Sequence, residues 1–236
     1  MDYNVFKIST DVADAWIIGA QGDYNYAYGG TRMAPSSDTD DQVEDDLFRL
    51  MAYESHLKNA LINKAVEDGA IGDLEGKMPR GFMDARVGGG RCVFRAKNKS
   101  LDKTFSHPDN EGFGENIRVL FNDIGEFLNT KEGKIKLTPD FGKFADVSDV
   151  LREFTPNVLG IGCEEGGCGG KSSYTSTGII AALNQLGIEN YRDNPVTLIG
   201  SDGALGSEVA GLHFFKEGYG DVKVCDLEYD ATNIGH

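Results

Sequence analysis

The chain is poor in basic residues, cysteine and proline. Its 236 residues include 23 Lys and Arg against 38 Asp and Glu, which gives a formal net charge of −15, and only 6 Pro and 4 Cys. The deficit of basic residues argues against sequence-independent nucleic-acid binding, which needs Lys and Arg to displace phosphate counterions. Four scattered cysteines are too few for a disulfide scaffold, so we expect a reducing, cytoplasmic location.

Long apolar runs and a basic leader are also missing. No run approaches the roughly 18 to 20 apolar residues of a membrane span, and the chain begins Met1-Asp2-Tyr3, without the basic region of a signal peptide. We therefore expect no membrane association. What is present is 40% hydrophobic residues, including 13 Phe, and 31 Gly. This composition predicts a Gly-rich α/β protein of one large domain or two small ones.

The hydrophobic pattern predicts alternating strands and helices. Short β-prone runs predict strands at 4–7, 15–20, 92–94, 135–138, 195–200 and 222–226. Apolar residues at helical spacing predict helices at 43–61, 115–128, 146–154, 178–186 and 207–216. Gly-rich and polar stretches predict loops at 23–37, 68–90, 95–114 and 160–170.

The strand at 195–200, the helix at 207–216 and the strand at 222–226 form a predicted βαβ unit. Its first turn resembles the dinucleotide fingerprint G-x-G-x-x-G, with serine at the first position. Asp226 follows about 20 residues after the turn, where a carboxylate accepts hydrogen bonds from ribose hydroxyls and disfavours a 2′-phosphate. The unit therefore predicts NAD binding. The predicted cofactor-binding residues are Ser201, Gly203, Ala204, Leu205, Gly206 and Asp226. The alternative is a turn whose glycines serve packing alone.

An ordered set of short motifs precedes this turn. The motifs are Gly29-Gly30-Thr31-Arg32-Met33, Lys58-Asn59-Ala60, Gly88-Gly89-Gly90-Arg91, Pro139-Asp140 and Ser173-Tyr174-Thr175. The set resembles the glutamate/leucine/phenylalanine/valine dehydrogenase family, most closely its leucine and phenylalanine members. The resemblance implies an α/β fold with a mixed-sheet substrate domain at 1–156 and a partial Rossmann domain at 157–236. It also implies NAD-dependent, reversible oxidative deamination of an L-amino acid to a 2-oxo acid and ammonium.

The resemblance assigns roles to four residues outside the fingerprint. Lys58 would bind the substrate carboxylate, and Gly30 would let the backbone approach the substrate. Asp140 would shuttle protons to the amino group, and Thr175 would help to hold the nicotinamide end. The alternatives are a solvated helix lysine, a plain turn glycine, a turn aspartate and a helix N-cap, respectively.

Arg91 departs from the family pattern, which has a catalytic lysine after the triple glycine. A lysine serves as a base when its pKa is lowered enough for neutral amine to exist near working pH. A guanidinium stays protonated in proteins, so Arg91 can neutralise developing negative charge but cannot shuttle the proton. Lys64 or Lys77 are possible substitutes, with a surface lysine as the alternative for each. The departure raises a second hypothesis, a catalytically degenerate dehydrogenase-like binding or accessory protein.

The length also departs from the family plan. A full dinucleotide domain has two βαβαβ halves, whereas this sequence ends ten residues after Asp226. The expectation is a truncated relative, a fragment, or a subunit completed by another chain, and the resemblance implies a homo-oligomer.

Cys163 and Cys168 do not have the usual zinc spacing and no histidine lies near them, so we expect no metal site.

Overall fold

The computed structural model describes residues 2–69, 86–139, 147–162, 164, 166, 172–185, 196–201, 203–211, 222–226 and 229–234. The chain divides into two compact units, Met1–Gly167 and Cys168–His236. The domain boundary between residues 156 and 157 stays a prediction.

The first unit is built on a mixed sheet of five strands among its described residues. The strands are β1 (Tyr3–Ser9), β2 (Ala13–Ala20), β3 (Tyr26–Ala34), β4 (Val87–Ala96) and β5 (Ile135–Pro139), in the order β1-β2-β4-β3-β5. β2 is antiparallel to both β1 and β4, whereas β3 is parallel to β4 and β5. The α/β fold with a mixed sheet is therefore confirmed for this unit.

The described residues of the first unit include six helical segments, two of which begin at a capping side chain. They are α1 (Asp40–Arg49), a π-helix (Leu50–His56), α2 (Leu57–Glu67), α3 (Lys99–Phe105), α4 (Phe113–Thr130) and α5 (Val147–Arg152). Thr39 and Gln42 form a capping box before α1, and the side chain of Asn98 accepts two backbone N–H groups at the start of α3. Helix α3 was not predicted, because its seven residues are mostly polar.

Alternate side chains of β2 and β4 pack on opposite faces of the sheet. On one face, Ile17 and Phe94 contact the apolar stripe of α4, which includes the fully buried Phe121. On the other face, Trp16 and Val93 pack against α1 and the π-helix. Each fully buried Phe or Leu contributes about 1.5–3 kcal/mol. This alternation also puts Arg91, two residues before Val93, on the face covered by the π-helix.

Two Gly-rich segments that were predicted to lie in loops, 26–34 and 87–90, lie in strands. Gly29 and Gly30 lie inside β3, and the triple glycine followed by Arg91 lies inside β4. The prediction was wrong because glycine disfavours strands in general and signals turns when it is clustered. Here the glycines mark places where a neighbouring backbone or side chain lies very close to the strand.

The second unit contains a smaller sheet. The parallel pair is β6 (Val196–Ile199) and β7 (Val222–Asp226), as predicted, and β8 (Tyr229–Ile234) adds an antiparallel strand that was not predicted. α6 (Ser172–Gln185) begins six residues before the predicted start, and α7 (Ala204–Glu208) three residues before. The predicted helix end at Lys216 lies outside the described residues.

Candidate functional site

Asn59 anchors the start of α2 to two strands of the sheet. Its buried side-chain amide donates to the carbonyl of Tyr28 on β3 at 3.2 Å and to that of Gly88 on β4 at 2.9 Å. One turn later, Asn63 exchanges hydrogen bonds with the backbone of Val87. These bonds hold α2, and with it Lys58, in a fixed position above β3 and β4.

The triple glycine lets the π-helix and a tyrosine pack directly on β4. A Cβ on Gly89 would lie 2.6 Å from the Cβ of His56, and one on Gly88 would lie 2.8 Å from the ring of Tyr24. Both distances are shorter than real Cβ contacts. A packing requirement is therefore enough to explain glycine at both positions, independently of any ligand.

Arg91 is buried beneath the π-helix and forms an ion pair with it. Its Nη2 lies 3.2 Å from Oε2 of Glu54, and its Nη1 donates to Oγ of Ser55 at 3.4 Å. The arginine side chain is only 3% exposed. A buried guanidinium that already pairs with a carboxylate holds a fixed positive charge in this part of the unit.

Glu54 is the carboxylate on which three cations converge. Its Oε1 accepts from Lys58 Nζ at 3.0 Å and lies 3.9 Å from Arg32 Nη2, while Oε2 faces Arg91. Burial acts to raise the pKa of Glu54, but the hydrogen bond from Lys58 and the charges of Arg91, Lys58 and Arg32 together lower it. Glu54 is therefore ionised at neutral pH, and the four side chains together carry excess positive charge.

Gly30 lies beside this cluster. A Cβ on Gly30 would lie 3.3 Å from Arg91 Nη1, and Gly30 pairs with Thr138 across β3 and β5. Thr138 Oγ1 lies 3.0 Å from the hydroxyl of Tyr28 and donates to the carbonyl of Leu159. The structure thus brings Gly30, Lys58 and Arg91 into one region of the first unit.

The remaining predicted residues of the first unit are Asp140, Lys77 and Lys64. Asp140, predicted to shuttle protons, and Lys77 lie outside the described residues. Lys64 pairs with Asp68 one turn later on α2 and is 65% exposed. This exposure fits the surface-lysine alternative for Lys64, and the 67% exposure of the Lys58 side chain fits the corresponding alternative for Lys58.

The fingerprint turn of the second unit packs closely against its helix. A Cβ on Gly206 would lie 2.0 Å from the carbonyl oxygen of Gly200, whose φ is +83°. Among the described residues, a Cβ on Gly203 would meet that oxygen alone, at 3.5 Å, which is an ordinary van der Waals distance. Gly206 is therefore required for packing, as the fingerprint predicts, whereas a Cβ on Gly203 would not clash with that oxygen.

The remaining predicted cofactor residues lie on elements around that turn. Ser201 is the first residue of the turn, Ala204 begins α7, and Leu205 packs against a small core that includes Ile180 and Val224. Asp226 is the last residue of β7. Thr175 lies inside α6 and is exposed, so the helix N-cap alternative for it is wrong.

Glu54 and Ser55 are the site residues that the sequence prediction missed. Glu54 lies four residues before Lys58, and that spacing on a helix is a recognised signal for an ion pair. No local signal links Glu54 to Arg91, because 37 residues separate them in the sequence.

Among the described residues no group of three or more His, Cys, Asp or Glu could hold a metal ion. Within the same residues, no helix has the length and apolarity needed to cross a membrane.

Comparisons with known proteins place the fold. Neither a family model nor a curated protein matches the chain. The chain is similar to glutamate dehydrogenase from Peptoniphilus asaccharolyticus, with 13% identity and a TM-score of 0.53 over 100% of this chain and 55% of that one. It also matches L-tryptophan dehydrogenase from Nostoc punctiforme, with 17% identity and a TM-score of 0.49 over 94% of this chain and 53% of that one. The chain thus spans about half the length of these proteins, and its α/β fold resembles that of the glutamate dehydrogenase.

Proposed function

We propose that this chain is an amino-acid dehydrogenase-like protein that binds an L-amino acid or its 2-oxo acid by the carboxylate. The observation that carries the proposal is the convergence of Lys58 and Arg91 on Glu54, with Arg91 beside Gly30. In a chain with a net charge of −15, a local excess of positive charge favours an anionic ligand. Gly30 lies against the guanidinium of Arg91, so a ligand held by that group would come close to the Gly30 backbone.

The reaction we propose is NAD-dependent oxidative deamination to a 2-oxo acid and ammonium. NAD supplies the hydride acceptor when bound. The close packing at Gly206 and the position of Asp226 at the end of β7 fit the adenosine half of such a cofactor. The proposed cofactor-binding residues are Thr175, Ser201, Gly203, Ala204, Leu205, Gly206 and Asp226.

The protein groups divide the remaining chemistry between them. Lys58 and Arg91 would hold the substrate carboxylate, and the fixed charge of Arg91 would stabilise negative charge that develops nearby. Asp140 is proposed to move the proton of the amino group, by resemblance alone. Arg91 accepts no proton at any working pH, so the base that activates water in the family has no equivalent at this position.

A second candidate is a binding or accessory protein without turnover. The ion pair of the buried Arg91 with Glu54 favours this second candidate. Arg91 is a permanent charge at the position where the family resemblance implies a titratable lysine. Assembly with further copies of the chain is proposed for both candidates.

Calorimetry tests the binding proposal. The protein is titrated with two matched ligand pairs, pyruvate with L-alanine and 4-methyl-2-oxopentanoate with L-leucine. We expect Lys58→Met to weaken binding of the tightest ligand about 10- to 100-fold, because a charge-assisted hydrogen bond is lost. Lys64→Met removes the same charge from the same helix and should leave the affinity unchanged. Absence of binding, or an equal effect of both variants, would refute the proposal.

Turnover separates the two candidates. Absorbance of reduced NAD is followed with the wild-type protein and a panel of L-amino acids at alkaline pH. Turnover that Arg91→Lys abolishes would contradict a degenerate protein. Ligand binding without turnover in the wild type, with activity gained on Arg91→Lys, would support the second candidate.

A further inference from the structure

We infer that Glu54 sets the affinity of this site for carboxylates, because it occupies the cations that a ligand carboxylate would use. The inference rests on the proposed function and adds to it a residue to which neither the sequence motifs nor the family resemblance assigns a role. Glu54 is thus an internal counter-anion with which the ligand competes.

Both oxygens of Glu54 face a cation, one through a hydrogen bond and the other through an ion pair. Oε1 lies 3.0 Å from Lys58 Nζ, and Oε2 lies 3.2 Å from Arg91 Nη2. A carboxylate that bridges a lysine and an arginine is the arrangement that the proposed function requires of the substrate. The side chain of Glu54 therefore already makes the contacts expected of the ligand.

The two contacts differ in how easily they are exchanged. The side chain of Lys58 is 67% exposed and that of Glu54 is 32% exposed, so their pair lies at the surface and contributes little to stability. Arg91, in contrast, is buried and keeps its place. An incoming carboxylate therefore competes with Glu54 for Lys58 and meets the repulsion of an ionised Glu54 close by.

This arrangement makes a distinctive prediction about ligand class. Loss of the Glu54 charge should strengthen the binding of a 2-oxo acid and of its L-amino acid alike, because both carry the carboxylate. If Glu54 instead received the ammonium group of the amino acid, its loss would weaken amino-acid binding and spare the 2-oxo acid. The occupied oxygens of Glu54 favour the first outcome.

Calorimetry of the full chain tests the inference with the two ligand pairs named above. In each pair, we expect Glu54→Gln to tighten the binding of the 2-oxo acid and of the L-amino acid about tenfold. This increase in affinity should become smaller as salt is added. Glu153→Gln is the matched control: it removes one carboxylate from the exposed pair with Arg118 and should change neither affinity. Glu54→Ala gives an independent second variant with the same expected direction, and circular dichroism checks that each variant is folded.

The outcomes separate this inference from the proposed function. Equal affinities of wild type and Glu54→Gln, or a loss of amino-acid binding alone, would overturn the role of Glu54 and leave the carboxylate site standing. No binding of any ligand to the wild type or to either Glu54 variant would overturn the site itself and the inference with it.

Discussion

The carbonyl oxygen of Gly90 lies 1.5 Å from the position that a Cβ on Gly29 would take. Gly29 is on β3 and Gly90 on β4, so the two parallel strands meet here without room for any side chain atom. The same Cβ would lie 2.7 Å from Oγ of Ser55, which accepts a hydrogen bond from Arg91. Glycine at position 29 therefore allows both the close pairing of β3 with β4 and the position of Ser55 beside Arg91.

Gly29→Ala should destabilise the first unit severely. A backbone carbonyl cannot move aside as a flexible side chain can, so we expect a loss of more than about 2 kcal/mol in the free energy of unfolding. Urea denaturation followed by circular dichroism measures it. Gly114→Ala is the control, because a Cβ on Gly114, in α4, meets nothing within 4 Å and should stabilise the helix by about 0.5–1 kcal/mol. Equal midpoints for the two variants would contradict the packing described here.

Gly206 and Gly203 should respond differently to alanine. Gly206→Ala places a Cβ 2.0 Å from the carbonyl oxygen of Gly200 and should disrupt the second unit. Gly203→Ala makes only an ordinary contact, at 3.5 Å, and should change stability by less than about 0.5 kcal/mol. If the turn binds a pyrophosphate, Gly203→Ala should nevertheless weaken NAD binding in calorimetry. An unchanged affinity for NAD would argue that the turn serves packing alone.

Asp14 should make stability depend on pH. Burial acts to raise the pKa of Asp14, but hydrogen bonds from Lys97 and Ser9 and the charge of Lys97 lower it below the usual value near 3.8. A lowered pKa in the folded state contributes stability above that value, and the contribution is lost as the pH falls through the folded-state pKa.

The measurement is urea denaturation of Asp14→Asn at several pH values. We expect a loss of about 2 kcal/mol at pH 7, because charge-assisted hydrogen bonds are removed, and a smaller difference from the wild type below pH 3. Asp45→Asn removes a carboxylate from an exposed pair with Arg49 and should cost less than about 0.5 kcal/mol at any pH. A difference for Asp14→Asn that does not shrink in acid would refute the ionic origin of the effect.

Cys92 should resist thiol reagents in the native protein. It is fully buried, and burial raises the pKa of its thiol to about 12 despite the hydrogen bond with Thr31 and the charge of Arg91. Since the thiolate is the reactive form, alkylation at pH 8 followed by peptide mass spectrometry should leave Cys92 unmodified until urea unfolds the chain. The half-buried Cys225 serves as the internal comparison. Rapid native alkylation of Cys92 would contradict its burial.

Much of the secondary structure could be predicted because apolar spacing is a local signal. The helix at α4 and the strands at β2 and β5 follow from side chains that must share one face, and the observed bounds differ from the predicted ones by only a few residues. The strand at 92–94 was predicted too, but β3 and the Gly-rich start of β4 could not be predicted in the same way. Their glycines are needed because residues that are distant in the sequence pack closely on them, as His56 does on Gly89.

The candidate site likewise has residues that the sequence revealed and one that it did not. Lys58, Gly30 and Arg91 were singled out by motif, and the substitution of arginine for lysine was visible from the sequence alone. The presence of Glu54 between Lys58 and Arg91 was not, because it depends on the packing of the π-helix on β4.

The sequence by itself determined the acidic charge, the α/β class, the parallel pair of the second unit and the chemical limit on Arg91, since a guanidinium remains protonated in any fold. Only the tertiary structure decided which carboxylate faces that guanidinium and why the neighbouring positions must be glycine. The physical reason is that ion pairs and steric exclusion act over a few ångströms in space, whatever the separation along the chain.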